Sequence, residues 1–297
     1  MPFDVFLVVL AAAFLHAGWN TLLKLRAHAG PAIDPMLSTL LLGIAASLVA
    51  TLAMPATGLP APSSWPYAAA SAMIHIAYYL LVGAAYRAAD LSAVYPITRG
   101  TAPMGTALLA ALFLGERLSL QSWTGIACIC AGVIGLATMS LRRGGLTWTG
   151  FAFAAANAGI VMLFTLVDGH GARLSGNPAG YAMLLEALCG PMLLPCLLLV
   201  LRGNGPRNRS LPGALLAALG EGRWWKALLG AIMSVAAYAA ALWAMTRAPI
   251  GAVAALREVS VLIGVFLGAL VLRETVGLPR WIAAAAIVAG AMLVRLG

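Results

Sequence analysis

Charge is what this sequence has least of. Asp, Glu, Lys and Arg make up 9% of its 297 residues, 62% are hydrophobic and the mean hydropathy is +0.96. Soluble chains carry roughly 25% charge, so a soluble globular domain is excluded. Cysteine is scarce, with four residues. Cys128 and Cys130 are two positions apart, about 200° around a helix, and cannot share a ligand. Cys189 and Cys196 share a face, but no His or Cys stands near to complete a metal site. All four read as small buried hydrophobes, and no metal or cofactor is expected. Hydrolase elbow, HExxH, phosphate-binding loop and paired-aspartate signatures are all missing, which argues against an enzyme. No extramembrane stretch is long enough to hold a core of its own, which argues against a sensor with a soluble output domain. The net charge of +9 has no basic domain or stripe to carry it, so nucleic acid is not an expected partner.

What the chain has is apolar runs of about 20 residues, the length that crosses about 30 Å of hydrocarbon. Backbone groups in lipid must be satisfied internally, and Leu/Ala/Val runs without strict alternation select helices over a barrel. The expected fold is an all-α polytopic membrane protein with ten transmembrane helices, at about 3–24, 34–54, 66–88, 91–114, 120–140, 146–167, 179–201, 224–246, 250–272 and 279–296. The N-terminal run carries Asp4 and no basic n-region, so it reads as a retained span rather than a cleaved signal. Connections are short and rich in turn formers, except for 202–223, where LLAALGEGRWW suggests an interfacial helix anchored by Trp224 and Trp225.

The ten spans fall into two copies. A displacement of 158 residues brings Arg99 onto Arg257, Glu116 onto Glu274, Trp123 onto Trp281 and Ala131-Gly132 onto Ala289-Gly290. Five spans per copy is an odd number, so the second copy enters the membrane from the opposite side, and the repeats are inverted. The two units are expected at 1–141 and 145–297. Lys24, Arg26, Arg87, Arg142, Arg143, Arg202, Arg207, Arg209, Arg223, Lys226, Arg273 and Arg280 flank the spans on one side. Only Arg117, Arg173, Arg247 and Arg295 flank them on the other. The excess of basic residues on cytoplasmic loops then places both termini outside a cytoplasmic (inner) membrane.

Arg99 and Arg257 are the most informative residues. An arginine near mid-bilayer costs about 2.5–3.5 kcal/mol on the most lenient scales, so a chain that carries two is expected to use them. Pro96 and Pro103 flank Arg99 and predict a broken helix there, with Tyr95 one turn away. Glu258 follows Arg257, and Glu186 is the other acid well inside a span. His16, Asn20 and Lys24 form a polar stripe on the first span, with Trp19 alongside. Asn157, Thr165 and Asp168 form a weaker stripe on the sixth, and His75, Tyr78 and Tyr79 gather on the third. Two bases and two acids can also cancel as buried structural pairs, and that alternative stands beside the functional one. Arg87 with Asp90, Glu116 with Arg117 and Arg273 with Glu274 read as anchors at span ends.

The segments YPITRGTAPMGTALLAALFLGERLS and WTGIACICAGVIGL, with their partners VAALREVSVLIGVFLGALVLRETV and IAAAAIVAGAMLV, resemble the EamA-type domain of the drug/metabolite transporter superfamily. FLHAGWNTLLK, AYRAADLSAVYP, LVDGHGAR and LWAMTRAPI resemble a branch sometimes linked to phosphonate utilisation. The resemblance implies ten spans in two inverted five-helix repeats, a central cavity, and alternating access for small metabolites, commonly in export. It places His16, Trp19, Asn20, His75, Tyr79, Tyr95, Arg99, Asn157, Trp243, Arg257 and Glu258 near that cavity.

These observations set the expectation of a secondary transporter for a small anionic or zwitterionic metabolite. Arg99, Arg257, Tyr95, Trp19, Asn20, Tyr79, Asn157 and Trp243 would bind substrate. Glu258, His16, His75 and Glu186 would carry a coupling proton. The expected partners are the substrate, the lipid bilayer, a coupling proton and a second copy in a homodimer. The alternatives are a broad-specificity efflux carrier with structural arginine pairs, or a membrane-embedded enzyme or sensor.

Overall fold

Ala, Leu and Val dominate the runs between turn formers, and the chain folds accordingly. The computed structural model describes residues 1–27, 35–88, 91–141, 148–203, 224–272 and 277–297; the side chains of some helix residues beside these limits, Tyr95 among them, lie outside the described set. The helices are α1 (Phe3–Ala27), α2 (Pro35–Thr57), α3 (Trp65–Ala88), α4 (Leu91–Phe113), α5 (Leu120–Leu141), α6 (Trp148–Leu174), α7 (Pro178–Gly203), α8 (Trp224–Met245), α9 (Ile250–Arg257), α10 (Val259–Leu272) and α11 (Leu278–Leu296). Among the described residues there is no strand. The helices α9 and α10 continue one another through Glu258, so the architecture is ten spans. Seven of the helices are by themselves long and apolar enough to cross a membrane. The interfacial helix expected within 202–223 falls almost wholly on 204–223, outside the described residues.

The packing repeats itself. α2 lies on α7, α5 on α11 and α4 on α9, while α1–α8 is mirrored by α6–α3 and α1–α10 by α6–α4. Advancing every partner by five spans returns the same set, which is a two-fold relation between the halves. The seam between α5 and α11 shows it at atomic detail. A Cβ on Gly132 would stand 2.8 Å from the Ala283 carbonyl oxygen and 2.7 Å from Ile287 Cγ1. A Cβ on Gly290 would stand 2.6 Å from the Gly125 carbonyl oxygen and 2.8 Å from Ile129 Cγ1. The 158-residue displacement carries 125, 129 and 132 onto 283, 287 and 290, so one contact is made twice. Rising numbers on α5 meet falling numbers on α11, and the helices are antiparallel. The second half is therefore inverted. Small residues let the two backbones approach, which is how helices associate where lipid removes any hydrophobic drive.

Two expectations change. α6 runs to Leu174 rather than 167, because Asp168 is wholly buried and continues the helix instead of ending it. The helix break expected at Arg99 is found in the other half. α4 is continuous through Pro96 and Pro103, since each proline removes one backbone bond and neighbouring α5, α6 and α9 hold the helix. At Glu258 the backbone instead switches to short turns without any proline. The Glu258 N–H donates to the Ala255 carbonyl at 3.0 Å, and the Val261 N–H to the Glu258 carbonyl at 2.9 Å, both three residues apart.

The end of the bundle that carries both termini is tied together by side chains. The Met1 ammonium donates to the Arg295 carbonyl at 2.9 Å. Asn177 donates to the Thr57 carbonyl at 2.8 Å and accepts from the Gly180 N–H at 3.0 Å, so one amide closes the end of α2 and the start of α7.

Candidate functional site

The break at Glu258 sends adjacent side chains in different directions. Glu258 turns toward α4, where Arg99 Nη1 donates to its Oε1 at 3.0 Å; the two side chains are 14% and 6% exposed. The other terminal nitrogen of Arg99 contacts His16 Nε2 on α1. Trp19 Nε1 donates to His16 Nδ1 at 3.3 Å, and Asn20 donates to the His16 carbonyl at 2.8 Å within its own helix. His16, Trp19, Arg99 and Glu258 thus form one cluster. His16 faces an obligate donor at each ring nitrogen, while a neutral imidazole has one bare nitrogen, so Trp19 and Arg99 compete for it. An added proton on His16 would meet a donor on either side.

Arg257 has a different environment. Its guanidinium lies over the ring of Tyr238 on α8, 5.4 Å from the centroid. Among the described residues it forms no ion pair, since Glu258 is engaged by Arg99. The repeat explains the difference. Arg99 and Arg257 are equivalent positions, but the position equivalent to Glu258 is Gly100, whose space is taken by Ile134. One half supplies the acid for the other half's arginine and receives none in return. The Glu258 Oε2 atom and the Asn157 Oδ1 atom on α6 are buried and have no hydrogen-bond partner among the described residues.

A second polar cluster lies beside Arg257, joined to it by Tyr238. Asp168 is fully buried and accepts the Tyr181 hydroxyl at 3.2 Å on one oxygen and the Tyr238 hydroxyl on the other. His75 joins it from α3, with Nδ1 3.0 Å from the Ser71 carbonyl oxygen and its ring 4.3 Å from that of Phe164. The Tyr238 and His75 rings meet in a T-shaped arrangement with centroids 5.9 Å apart, so Tyr238 adjoins the histidine, touches the aspartate with its hydroxyl and faces Arg257 with its ring.

The remaining expected residues are dispersed. Glu186 on α7 is buried, its Oε2 has no hydrogen-bond partner among the described residues, and it interacts electrostatically with Tyr79 on α3. Trp243 lies near the end of α8 with the exposed Arg247 guanidinium 4.1 Å from its ring centroid. The side chain of Tyr95 lies outside the described residues, as do those of Lys24, Arg87, Asp90, Arg273 and Glu274. Sequence reasoning missed Tyr238 and Tyr181, which stand in apolar runs with no local signal. It placed Asp168 on a polar stripe without seeing that two tyrosines close on it.

It also took Glu116 for a span anchor. The carboxylate in fact reaches the start of α9, accepting the Ile250 N–H at 3.0 and 2.9 Å and a guanidinium nitrogen of Arg173. Arg173 in turn donates to the carbonyls of Met245 at 2.9 Å and Ala248 at 3.1 Å. Five segments are held by two side chains.

No curated protein matches the chain. A solved structure described only as "Crystal structure of protein" is similar over 100% of this chain and 98% of its own, with a TM-score of 0.78 and 20% identity. At that identity the likeness speaks for the fold. The model of the EamA-like transporter family matches residues 5–138 and again 171–296. Two matches in tandem, on halves whose helices pack as inverted copies, account for nearly the whole molecule, and the chain belongs to the EamA-like transporter family.

Proposed function

We propose that this protein is a secondary transporter of the cytoplasmic membrane that moves a small anionic or zwitterionic metabolite by alternating access of its two repeats, 1–141 and 145–297. One observation carries the reading: Arg257 is a cation in the bundle interior without an ion-pair partner among the described residues, while its repeat mate Arg99 is neutralised by Glu258. An intramembrane charge left without a counter-ion is costly, and a substrate oxyanion would supply one. The guanidinium fork suits a carboxylate, phosphate or phosphonate, held against the ring of Tyr238. The free oxygens of Glu258 and Asn157 offer acceptors to a substrate ammonium or hydroxyl. Trp19, Asn20 and Tyr95 would wall the cavity, with Tyr79 and Trp243 toward its margins. Exchange of Glu258 between Arg99 and substrate would link binding to movement of the repeats.

The second reading, a broad-specificity efflux carrier with structural arginines, fits Arg99 and fails for Arg257. The test is a thermal-shift screen of purified protein against phosphonoacetate, 2-aminoethylphosphonate, succinate and glutamate. A ligand at a hundredfold excess over Kd adds about 2.7 kcal/mol of stability. Uptake into proteoliposomes should follow for whichever compound binds. Transport that survives both Arg99→Ala and Arg257→Ala would overturn the anion site. Reporter fusions to both termini test the orientation, with extracytoplasmic signals expected from each.

A further inference from the structure

His75 and Asp168 are two titratable groups of the interior that the arginine site leaves unused, and their geometry is specific. The Ser71 carbonyl can only accept, so the imidazole proton belongs on His75 Nδ1. Nε2 then carries the bare lone pair, and it has no hydrogen-bond partner among the described residues. The Ser71 hydroxyl, 3.2 Å from the same Nδ1, also interacts with the Asp168 carboxylate. Around this pair stand Tyr78 on the same helix, Tyr181 and Glu186 from α7, Tyr238 from α8 and Arg257 from α9. His16 is the contrasting case, with a donor at each nitrogen.

We infer that His75 and Asp168 together form the proton-binding site of this carrier, connected to Arg257 through Tyr238. One proton enters as H⁺, is taken up on the bare Nε2 of the imidazole and is stabilised by the charge of the Asp168 carboxylate, which the Ser71 hydroxyl links to the same ring; no other bond forms or breaks. While the site is empty, the ionised Asp168 accepts both tyrosine hydroxyls and fixes the Tyr238 ring beneath Arg257. Once the proton is bound, the negative charge that holds the Tyr238 hydroxyl is cancelled, and the ring that carries Arg257 is released. The arrangement is contiguous, from a carboxylate through one phenol to the guanidinium. Its placement follows from the helix rise: Asp168 is six residues from the end of α6 and Arg257 seven from the start of α9, each about 10 Å below the end that carries the termini. A coupling role for the proton rests on the transport reading, whereas proton binding itself does not.

The sequence has four histidines, so ¹⁵N-histidine NMR of the purified full-length protein in nanodiscs resolves each ring, and His75→Gln identifies the signals of His75. The expected spectrum at pH 8 has Nδ1 protonated and Nε2 bare. Acidification to pH 5 should move the His75 signals in one step, and Asp168→Asn should displace that step by about 1–3 pH units, the range of a charge partner within a few ångströms. A wild-type spectrum that stays constant over this range overturns the site, as does a step identical in Asp168→Asn. If Asp168→Asn does not fold, Tyr238→Phe, which keeps the ring and loses the hydroxyl, replaces it, and an unchanged step then overturns the site. If none of the four screened compounds binds or moves while the ring still titrates through Asp168, the transport reading fails and the proton site stands.

Discussion

Arg99 of α4 and Glu258 at the α9–α10 break meet at 3.0 Å across 159 residues, joining the two repeats inside the bundle. Removing one partner leaves the other charge buried, which costs about 3–5 kcal/mol for such pairs, whereas apolar replacement of both is often neutral. Glu258→Gln and Arg99→Met are therefore expected to lower the unfolding temperature strongly. Arg99→Met combined with Glu258→Met should recover most of that loss. Thermal unfolding of all variants in one detergent checks it, and additive losses in the double variant would show that the pair is not a unit.

Arg257 should behave differently, because no acid depends on it. Arg257→Lys keeps the charge and loses the planar fork, and Arg257→Gln loses both. Hydrogen bonds to charged groups contribute about 1.5–3 kcal/mol, so binding of a responsive anion should weaken about ten- to hundredfold in Arg257→Gln, with Arg257→Lys between. Both variants should unfold within a few degrees of the wild type. The checks are titration calorimetry with the compound found in the screen and thermal unfolding without it.

Gly132 and Gly290 make the same close approach in the two halves, each against backbone atoms that cannot move aside. Alanine at either position should cost about 1–3 kcal/mol, the usual range for overpacking, and the two costs should be nearly equal. Gly264 has open space where a Cβ would go and serves as the control, with little change expected. Unfolding temperatures of the three single variants decide it.

Most of the fold was legible because both of its signals are long-range in sequence and simple in kind. Apolar length gave the spans, and one displacement gave the repeat. The break was misplaced because proline is a local signal, while the switch at Glu258 is set by tertiary partners: its carboxylate is drawn to Arg99 and its neighbour to Tyr238. At the site, charged residues announced themselves by their cost in lipid. Tyr238 and Tyr181 did not, because a tyrosine in an apolar run is cheap wherever it points. Pairing was also hidden. Arg99 and Arg257 look equivalent in sequence, and only the packing shows that Glu258 serves Arg99, the one more distant from it in sequence.

Glu116 and Arg173 close the end of the bundle that carries the termini, and the repeat has no second copy of their contact. The displacement brings Arg173 onto Leu15, so the opposite end lacks the equivalent arginine. Glu116 is the stronger member. Its side chain is 7% exposed and receives the first N–H of α9 on both oxygens, where the positive end of the helix dipole favours an anion. Arg173 is 32% exposed, and water screens what it contributes. Glu116→Ala should cost about 1.5–3 kcal/mol, the value of a charge-assisted hydrogen bond lost from a buried donor. Glu116→Gln should cost less, because its amide oxygen still accepts the Ile250 N–H. Arg173→Ala should cost about 1 kcal/mol or below, as exposed ion pairs do. Thermal unfolding of the three variants tests the ranking, and an Arg173→Ala loss larger than that of Glu116→Ala would mean that the arginine's bonds to the Met245 and Ala248 carbonyls, rather than the helix cap, hold this end shut.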